Sequence, residues 1–299
     1  MPELPDIAIY VERLNALIGG QPLEAIRLAS PFVVRTFDPR ITEANGKVVL
    51  GVTNLGKRII FELEDDLFMI VHLMVAGRLR WQKKGVSIKG KGVLGAFDFP
   101  DGCVRFTEVS KQKRASIHLV RGRSAIEPFD RGGLDVFGAT RAQFVEVLQR
   151  ERHTIKRTMT DPRFYAGIGN AYSDEILHRA RISPVKMSTS LNDDEIDRLH
   201  KSTLEILRLF TDRIRDEIGD KFPDKVTAFR DDFAVHGKYK VPCPVCATPV
   251  QRIIRGEHET NYCPTCQTGG KLLADRALSR LLKKDWPKTL EELDERLGR

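Results

Sequence analysis

Two Cys-x-x-Cys motifs near the C-terminal end constrain this sequence more than any other feature. The four cysteines are Cys243, Cys246, Cys263 and Cys266. Two such pairs can supply four thiolates to one tetrahedral Zn²⁺, and in an intracellular chain this spacing indicates metal binding rather than disulfides. An iron–sulfur site is the alternative that the same ligands allow. Between the motifs, Val250–Arg255 and Thr260–Tyr262 predict the two arms of a β-hairpin that the metal would hold together.

The charge balance of the chain indicates what kind of partner it binds. The 299 residues include 49 Lys and Arg against 41 Asp and Glu, a net charge of +8 at neutral pH. A basic balance favours nucleic acid or an anionic membrane surface. No apolar run is long enough to span a bilayer, and Met1–Asp6 lacks the features of a signal peptide. We therefore expect a cytoplasmic protein with no membrane partner, associated with the nucleoid if the source is bacterial.

The first part of the chain predicts one helix followed by many strands. Apolar residues recur at helical spacing from Ile7 to Ile18, and Gly19-Gly20 end that pattern. From Leu23 to Val120 the chain consists of short segments rich in β-branched and aromatic residues, separated by turn residues. The clearest strand segments are Lys47–Val52, Arg58–Leu63, Leu67–Leu73 and Val104–Phe106. This order predicts a leading helix with a β-sandwich or barrel.

Beyond Pro128–Gly133, which has the composition of a linker, the pattern becomes helical. A long helix is predicted after its cap at Asn192, and two more are predicted over Lys271–Lys284 and after Thr289. The sequence therefore predicts an α+β multidomain protein. We divide it into a β-sandwich domain, a helical domain, a zinc finger and a helical C-terminal extension, over residues 1–131, 132–240, 241–267 and 268–299.

A glycine-containing turn directly before a predicted helix is a candidate anion site. Gly167-Ile168-Gly169-Asn170 precede the helical segment that begins at Ala171. Unpaired backbone N–H groups at a helix start favour a phosphate, and the Asn170 side chain could donate to the same group. A plain helix–turn–helix packing unit with Asn170 as its N-cap explains these residues equally well.

Three separated motifs together resemble the Fpg/Nei family of DNA glycosylases, which comprises formamidopyrimidine-DNA glycosylase and endonuclease VIII. Pro2-Glu3-Leu4-Pro5 matches the start of that family, Gly167–Asn170 its helix–two-turns–helix motif, and Cys263–Gln267 the end of its zinc finger. The resemblance covers about residues 1–266. It implies an N-terminal helix plus β-sandwich, then a helical domain with a C-terminal zinc-finger hairpin, one structural Zn²⁺, and DNA lying between the two domains.

The resemblance also implies a catalytic mechanism. The nucleophile would be the secondary amine of Pro2, exposed when Met1 is removed. An α-amine has a pKa of about 8, well below that of lysine, and its attack on the sugar C1′ would give an iminium that favours strand cleavage. Glu3 would be the general acid/base, and Lys57 would contact a phosphate or help to protonate the departing base. Asp6 takes the place of a family glutamate near the nucleophile.

The remaining family positions imply contacts with DNA. These positions are Val75, Lys156, Asn170, Glu175 and His258. Lys156 and Asn170 would bind phosphates, and Glu175 would lie near the site. Val75 stands where the family has a methionine that fills the space of an extruded base, and His258 stands where it has an arginine on the finger. The family segment Arg-Arg-Phe-Gly is replaced by residues 110–114, Ser-Lys-Gln-Lys-Arg.

These observations predict a bifunctional DNA glycosylase and abasic-site lyase of base excision repair, acting as a monomer on damaged double-stranded DNA. Two alternatives remain at this point. The departures from the family pattern are compatible with a damaged-DNA-binding protein on the same scaffold that has little or no catalysis. The charge and the cysteines, though not Pro2-Glu3, are also compatible with a zinc-ribbon RNA-binding protein.

Overall fold

A computed structural model describes residues 1–110, 112–224, 226, 229–256, 258–274 and 282–296. The helices are α1 Leu4–Ile18, α2 Arg141–Gln149, α3 Ile155–Thr160, α4 Asn170–Ala180, α5 Asp193–Ile218, α6 Pro264–Thr268 and α7 Leu290–Arg296. The strands are β1 Pro22–Leu23, β2 Ala25–Leu28, β3 Lys47–Leu55, β4 Arg58–Leu63, β5 Leu67–His72, β6 Gly77–Gln82, β7 Val93–Phe99, β8 Gly102–Glu108, β9 Ser116–Arg121, β10 Gln251–Arg255 and β11 His258–Tyr262. Within these ranges, no helix is long and apolar enough to cross a membrane.

The chain separates into two compact units by its internal contacts. The first contains Met1–Gly133 together with Leu209–Ala228, and the second contains Leu134–Arg208 together with Phe229–Arg299. The boundaries that we infer from composition, after residues 131, 240 and 267, differ from this division into two units and remain a proposal.

The first unit contains two antiparallel sheets and helix α1. One sheet has the strand order β1-β3-β4-β5-β9 and the other β2-β7-β8-β6. Alternate residues of β4, such as Ile59 and Phe61, enter the core, because successive side chains of a strand point to opposite faces. Ile7 and Tyr10 of α1 are completely buried in the same core. The predicted helix and β-sandwich are confirmed.

The segment that we predicted as a linker at Pro128–Gly133 is ordered at its start. Residues Arg123–Phe129 form a 3₁₀ helix. Ile126 and Phe129 pack on the apolar outer face of the five-stranded sheet, where the Phe129 ring lies 4.8 Å from the His118 ring. This packing is a long-range contact that composition does not reveal.

The second unit is helical and carries the predicted hairpin. Helix α5 begins as expected: the Asn192 side chain accepts a 2.9 Å hydrogen bond from the backbone of Glu195, whose carboxylate accepts from the backbone of Asn192. Strands β10 and β11 pair antiparallel, from Gln251 opposite Tyr262 to Arg255 opposite His258.

The C-terminal segment agrees only in part with the sequence prediction. Thr289 accepts a hydrogen bond from the backbone of Glu292 at the start of α7, as predicted. The helix predicted from Lys271 does not begin there, because the backbone N–H groups of Leu272 and Leu273 donate to Lys288 and to the Tyr262 hydroxyl. The rest of that prediction, including Arg276 and Arg280, lies outside the described residues.

Candidate functional site

The start of the chain is buried where α1 begins. Pro2 and Glu3 are both buried, and the backbone N–H of Glu3 donates to Asp6 Oδ2 at 2.9 Å. Asp6 is only 5% exposed, and its burial raises the pKa of the carboxyl group to about 7. Two carboxyl groups therefore lie beside the start of the chain, and that of Asp6 can hold a proton near neutral pH.

The N-terminal amine lies among four charged side chains. Burial lowers the pKa of this amine, and the positive charges of Arg78 and Lys57 lower it further, while Glu3 and Asp6 act in the opposite direction. The amine in the structure is that of Met1. The nitrogen of Pro2 is in a peptide bond here and becomes an amine when Met1 is removed.

Lys57 reaches this region from the turn between β3 and β4. The Asn54 side chain donates to the carbonyl of Gly56, and Gly56 has a φ of +56°, a conformation that costs glycine little. This tight turn places Lys57 between the paired strands β3 and β4, where its charge acts on the N-terminal amine. The structure thus brings Lys57 close to Glu3 and Asp6, from which it is far removed in the sequence.

Arg78 is a member of this cluster that sequence reasoning missed. Its Nε donates to the carbonyl of Val226 at 2.5 Å, and its Nη1 donates to the carbonyls of Gly77 and Val75 at 2.7 and 3.3 Å. An arginine near the start of a strand is ordinarily a solvated surface residue. Its only sequence signal is its position directly after the loop in which we expected Val75 to contact DNA.

Val75 lies at the tip of the loop between β5 and β6 and is 62% exposed. The loop is closed by a 2.8 Å hydrogen bond from the Gly77 N–H to the carbonyl of Leu73. Between β8 and β9, the carboxylate of Glu108 accepts hydrogen bonds from the backbones of Arg114 and Ala115, which shapes the base of the loop that replaces the family's aromatic segment. Lys111 lies outside the described residues.

In the second unit, Lys156 belongs to a buried polar network. Its Nζ donates to the Asn170 carbonyl at 2.6 Å, to Ser173 Oγ at 2.8 Å and to Asp174 Oδ1 at 2.5 Å. Asp174 is buried, and its other oxygen accepts from the backbone of Asn261 and pairs with His236 at 2.7 Å. An ammonium group has three hydrogens, so these contacts account for all of them.

Asn170 and Glu175 both connect α4 to other segments of the second unit. Gly169 occupies the N-cap position, and the Asn170 side chain donates to the carbonyl of Glu259 on β11 at 2.7 Å. Glu175 is buried, and its carboxylate accepts hydrogen bonds from three consecutive backbone N–H groups, those of Ala234, Val235 and His236. The structure thus places both residues in contacts that fix loops and the hairpin.

The four predicted metal ligands converge at the base of the hairpin. All four sulfur atoms lie within 4.8 Å of one another. Individual separations are 3.3 Å for Cys246 to Cys263 and 4.0 Å for Cys243 to Cys266. Four sulfurs bonded at about 2.3 Å around one tetrahedral Zn²⁺ would be separated by roughly 3.8 Å, so the thiolates fit the ion.

His258 lies at the exposed end of this hairpin, opposite Arg255, which is also exposed. Arg252 is engaged elsewhere on the hairpin: its guanidinium stacks 4.2 Å from the centre of the Tyr239 ring and pairs with Glu259 at 3.1 Å. Arg255 is therefore better placed than Arg252 to supply a guanidinium where the family has its arginine.

Comparison with known protein families covers most of the chain in three segments. The formamidopyrimidine-DNA glycosylase N-terminal domain matches residues 1–115, and the formamidopyrimidine-DNA glycosylase H2TH domain matches residues 136–216. A zinc finger found in FPG and IleRS matches residues 242–269 and contains all four cysteines. The one Zn²⁺ expected from the motif spacing is confirmed by this match and by the sulfur geometry.

Individual relatives extend over nearly the whole chain. The formamidopyrimidine-DNA glycosylase of Thermus thermophilus is 30% identical over 279 residues, which are 90% of this chain and 100% of the relative. An uncharacterized formamidopyrimidine-DNA glycosylase-like protein of Mycobacterium tuberculosis is 39% identical over 151 residues, 50% of this chain and 94% of the relative.

Solved structures agree with these matches. The Lactococcus lactis Fpg in complex with DNA containing an abasic site superimposes with a TM-score of 0.78 at 26% identity, covering 89% of this chain and 99% of that one. A point mutant of the Lactococcus lactis protein, bound to DNA containing Fapy-dG, gives 0.77 at 27% identity, covering 89% and 100%. The resemblance inferred from three short motifs is confirmed, and the chain belongs to the formamidopyrimidine-DNA glycosylase family.

Proposed function

We propose that this protein is a DNA glycosylase of base excision repair that also cleaves the strand at the abasic site it creates. The observation that carries the proposal is the cluster at the start of α1, where the N-terminal amine lies near Glu3, Asp6 and Lys57. The comparisons support a substrate of damaged double-stranded DNA, since structures of relatives contain abasic-site and Fapy-dG DNA.

The chemistry follows from a nucleophilic amine beside two carboxyl groups. After removal of Met1, the Pro2 nitrogen attacks C1′ of the damaged nucleotide while the bond from C1′ to the base breaks, and the base leaves with a proton. The Pro2–C1′ adduct becomes an iminium when the sugar ring opens. Loss of a proton from C2′ then expels the 3′ phosphate and cleaves the strand. Glu3 exchanges protons with the sugar, and Asp6 holds a further proton near neutral pH.

The remaining site residues contribute to DNA binding in two ways. Lys57, Val75 and His258 contact the DNA directly in this proposal, and the last two are exposed at the ends of a loop and a hairpin. Lys156, Asn170 and Glu175 support binding by holding α4, β11 and residues 234–236 in place. The zinc ion stabilises the hairpin that carries His258.

Two alternative functions lead to different expectations. A zinc-ribbon RNA-binding protein leaves the match over residues 1–115 unexplained. A DNA-binding protein without catalysis needs neither a buried carboxyl pair nor a buried amine with a lowered pKa. We further propose that the protein acts as a monomer in the cytoplasm.

Borohydride trapping on a duplex with a single lesion tests the proposal. Reduction of the iminium should give a stable protein–DNA adduct, and peptide mass spectrometry should locate it on Pro2. An adduct on Lys57, or one formed equally well by protein with an uncleaved N-terminal extension, would contradict the assignment. Glu3→Gln should slow base removal more than cleavage of a preformed abasic site, while Glu24→Gln, a matched change at an exposed pair with Lys84, should alter neither.

A further inference from the structure

Arg78 connects two backbone segments of the first unit. Through Nη1 it holds the carbonyls of Val75 and Gly77, and through Nε it holds the carbonyl of Val226. The loop between β5 and β6 and the segment that follows α5 are therefore joined by a single guanidinium. The planar guanidinium presents five N–H donors in a fixed arrangement, and no neutral side chain could donate hydrogen bonds to both segments in this way.

The segment that follows α5 is itself anchored on α1. The Asp220 carboxylate lies 3.6 Å from the guanidinium of Arg13, and the Phe222 ring lies 5.6 Å from the ring of Tyr10. Val226 is buried in the core of the first unit. Arg78 thus fastens a segment whose other contacts already place it beside the helix that Pro2 and Glu3 directly precede.

The charge of Arg78 acts on the start of the chain. The charged groups that face the N-terminal amine are Glu3 at the N-cap of α1, Asp6 from α1, Lys57 from the turn between β3 and β4, and Arg78 from β6. Arg78 lowers the pKa of the Met1 amine present in this structure, and it also lowers that of the buried Asp6 carboxyl group. After removal of Met1, the fixed charge of Arg78 would lie near the Pro2 amine and would disfavour a second positive charge there.

We infer that Arg78 is a positioning residue of the reaction: it fastens the Val75 loop to the segment after α5 and holds a fixed positive charge beside the start of the chain. This inference rests on the proposed function, because it assumes that the amine at the chain start attacks the sugar. Arg78 would thereby affect both the geometry of the site and the pH dependence of the reaction.

Two substitutions separate these roles. Arg78→Lys keeps the positive charge but cannot serve both segments with one fork, whereas Arg78→Gln keeps an N–H donor and removes the charge. The matched control is Arg80→Gln, which makes the same chemical change at an exposed position two residues along the same strand.

The experiment is single-turnover borohydride trapping on a duplex with one abasic site, at saturating protein, from pH 5.5 to 9. For Arg78→Gln we expect the trapping rate to rise with pH at a midpoint about half a pH unit higher than in the wild type. At the lowest pH values this corresponds to about threefold less adduct. Arg78→Lys should keep the wild-type midpoint at a lower plateau, and Arg80→Gln should match the wild type. A pH profile of Arg78→Gln that superimposes on that of the wild type would overturn the inference.

A measurement without DNA separates failure of this inference from failure of the proposed function. The rate at which the N-terminal amine of the free protein is alkylated, followed by mass spectrometry as a function of pH, reports the amine pKa directly. We expect Arg78→Gln to raise that pKa and Arg78→Lys to leave it unchanged; equal values in all three proteins contradict the inference. Wild-type protein that forms no adduct at any pH would refute the proposed function instead.

Discussion

Burial gives the Asp6 carboxyl group a pKa near neutrality, which an aspartate in water does not have. The Asp6 carboxyl group is almost fully buried and accepts a hydrogen bond from the backbone of Glu3. Desolvation disfavours the charged form, and the pKa of the group rises to about 7. Burial of this aspartate therefore leaves a proton-holding carboxyl group at the chain start.

We predict that Asp6→Asn makes the free energy of unfolding less dependent on pH. An unfolded aspartate has a pKa near 3.9, so the folded state with its raised pKa is favoured at low pH, and this contribution is lost as the pH rises from about 4 through 7. Asparagine stays neutral, so the variant should be more stable than wild type at pH 8, by roughly 1–3 kcal/mol, and similar at pH 4. Urea unfolding at both pH values measures this.

The control for that experiment is Asp101→Asn, the same chemical change at an exposed turn. Its stability difference from wild type should not change with pH. If Asp6→Asn proved less stable than wild type at pH 8, the carboxyl group would be ionised in the folded protein and the buried proton would be absent.

At the scale of elements, α4 is the centre of the second unit. Its start is held by Lys156 from α3, and its acidic residues Asp174 and Glu175 hold β11 and residues 234–236. The side chain of Lys156 is 11% exposed and that of Asp174 is completely buried. In this arrangement Asp174 and Glu175 accept hydrogen bonds from the backbone of other segments of the second unit.

We predict that Lys156→Met lowers stability without changing the number of phosphates bound. Removing Lys156 takes the ammonium partner from the buried Asp174 carboxylate, which keeps its contacts with His236 and the Asn261 backbone, and loss of a buried ion-pair partner costs about 3 kcal/mol. DNA affinity should fall, yet the slope of log affinity against log salt should stay the same, because the ammonium hydrogens are all used internally. A slope reduced by about 0.9 would show that Lys156 binds a phosphate instead. Lys186→Met, which breaks a more exposed pair with Glu195, is the control.

The zinc finger is the second element with a testable dependence. We predict one Zn²⁺ per chain, with Cys263→Ser losing the metal, unfolding the hairpin and weakening DNA binding, because structural zinc contributes folding energy directly. Metal analysis and DNA titration check this together. Cys103→Ser, at a buried cysteine on β8 outside the cluster, should keep its zinc, and freshly purified wild-type protein without zinc would refute the prediction.

At the scale of the whole molecule, we propose that base selection depends on how well the protein fills the space left by an extruded base. Val75 is a short side chain at the tip of its loop, and the family's aromatic segment is replaced by residues 110–114. Unpairing costs least for damaged, mismatched or single-stranded bases. A shorter wedge should therefore shift activity from stably paired lesions toward ring-opened bases and abasic sites.

We predict that excision of 8-oxoguanine opposite cytosine is slower than by a typical family member assayed alongside. Val75→Met should recover part of the difference, because a longer apolar side chain fills more of the vacated stack. Leu50→Met, at another exposed apolar position on β3, should have no effect. Single-turnover rates on a panel of single-lesion duplexes provide the test, and equal 8-oxoguanine rates for wild type and a typical family member would disprove the prediction.

Local patterns in the sequence were sufficient to predict several of the elements. The helix up to Ile18, the strands at Arg58–Leu63 and Leu67–His72, and the cap at Asn192 all follow from periodicity and turn chemistry, which act between residues close in the chain. The ligand set of the zinc finger was predictable for the same reason, because each Cys-x-x-Cys pair is a local motif.

The contacts of the site were decided by tertiary structure. Arg78 meets Val226, Lys156 meets Asp174, and Glu175 meets residues 234–236, and in each case folding joins chain segments that no spacing rule connects. The pKa of Asp6 likewise depends on how much water the packed α1 and its neighbours exclude. The secondary structure and the metal ligands could be predicted because they depend on residues close together in the chain. Hydrogen-bond partners and pKa values depend on spatial neighbours that exist only in the folded chain.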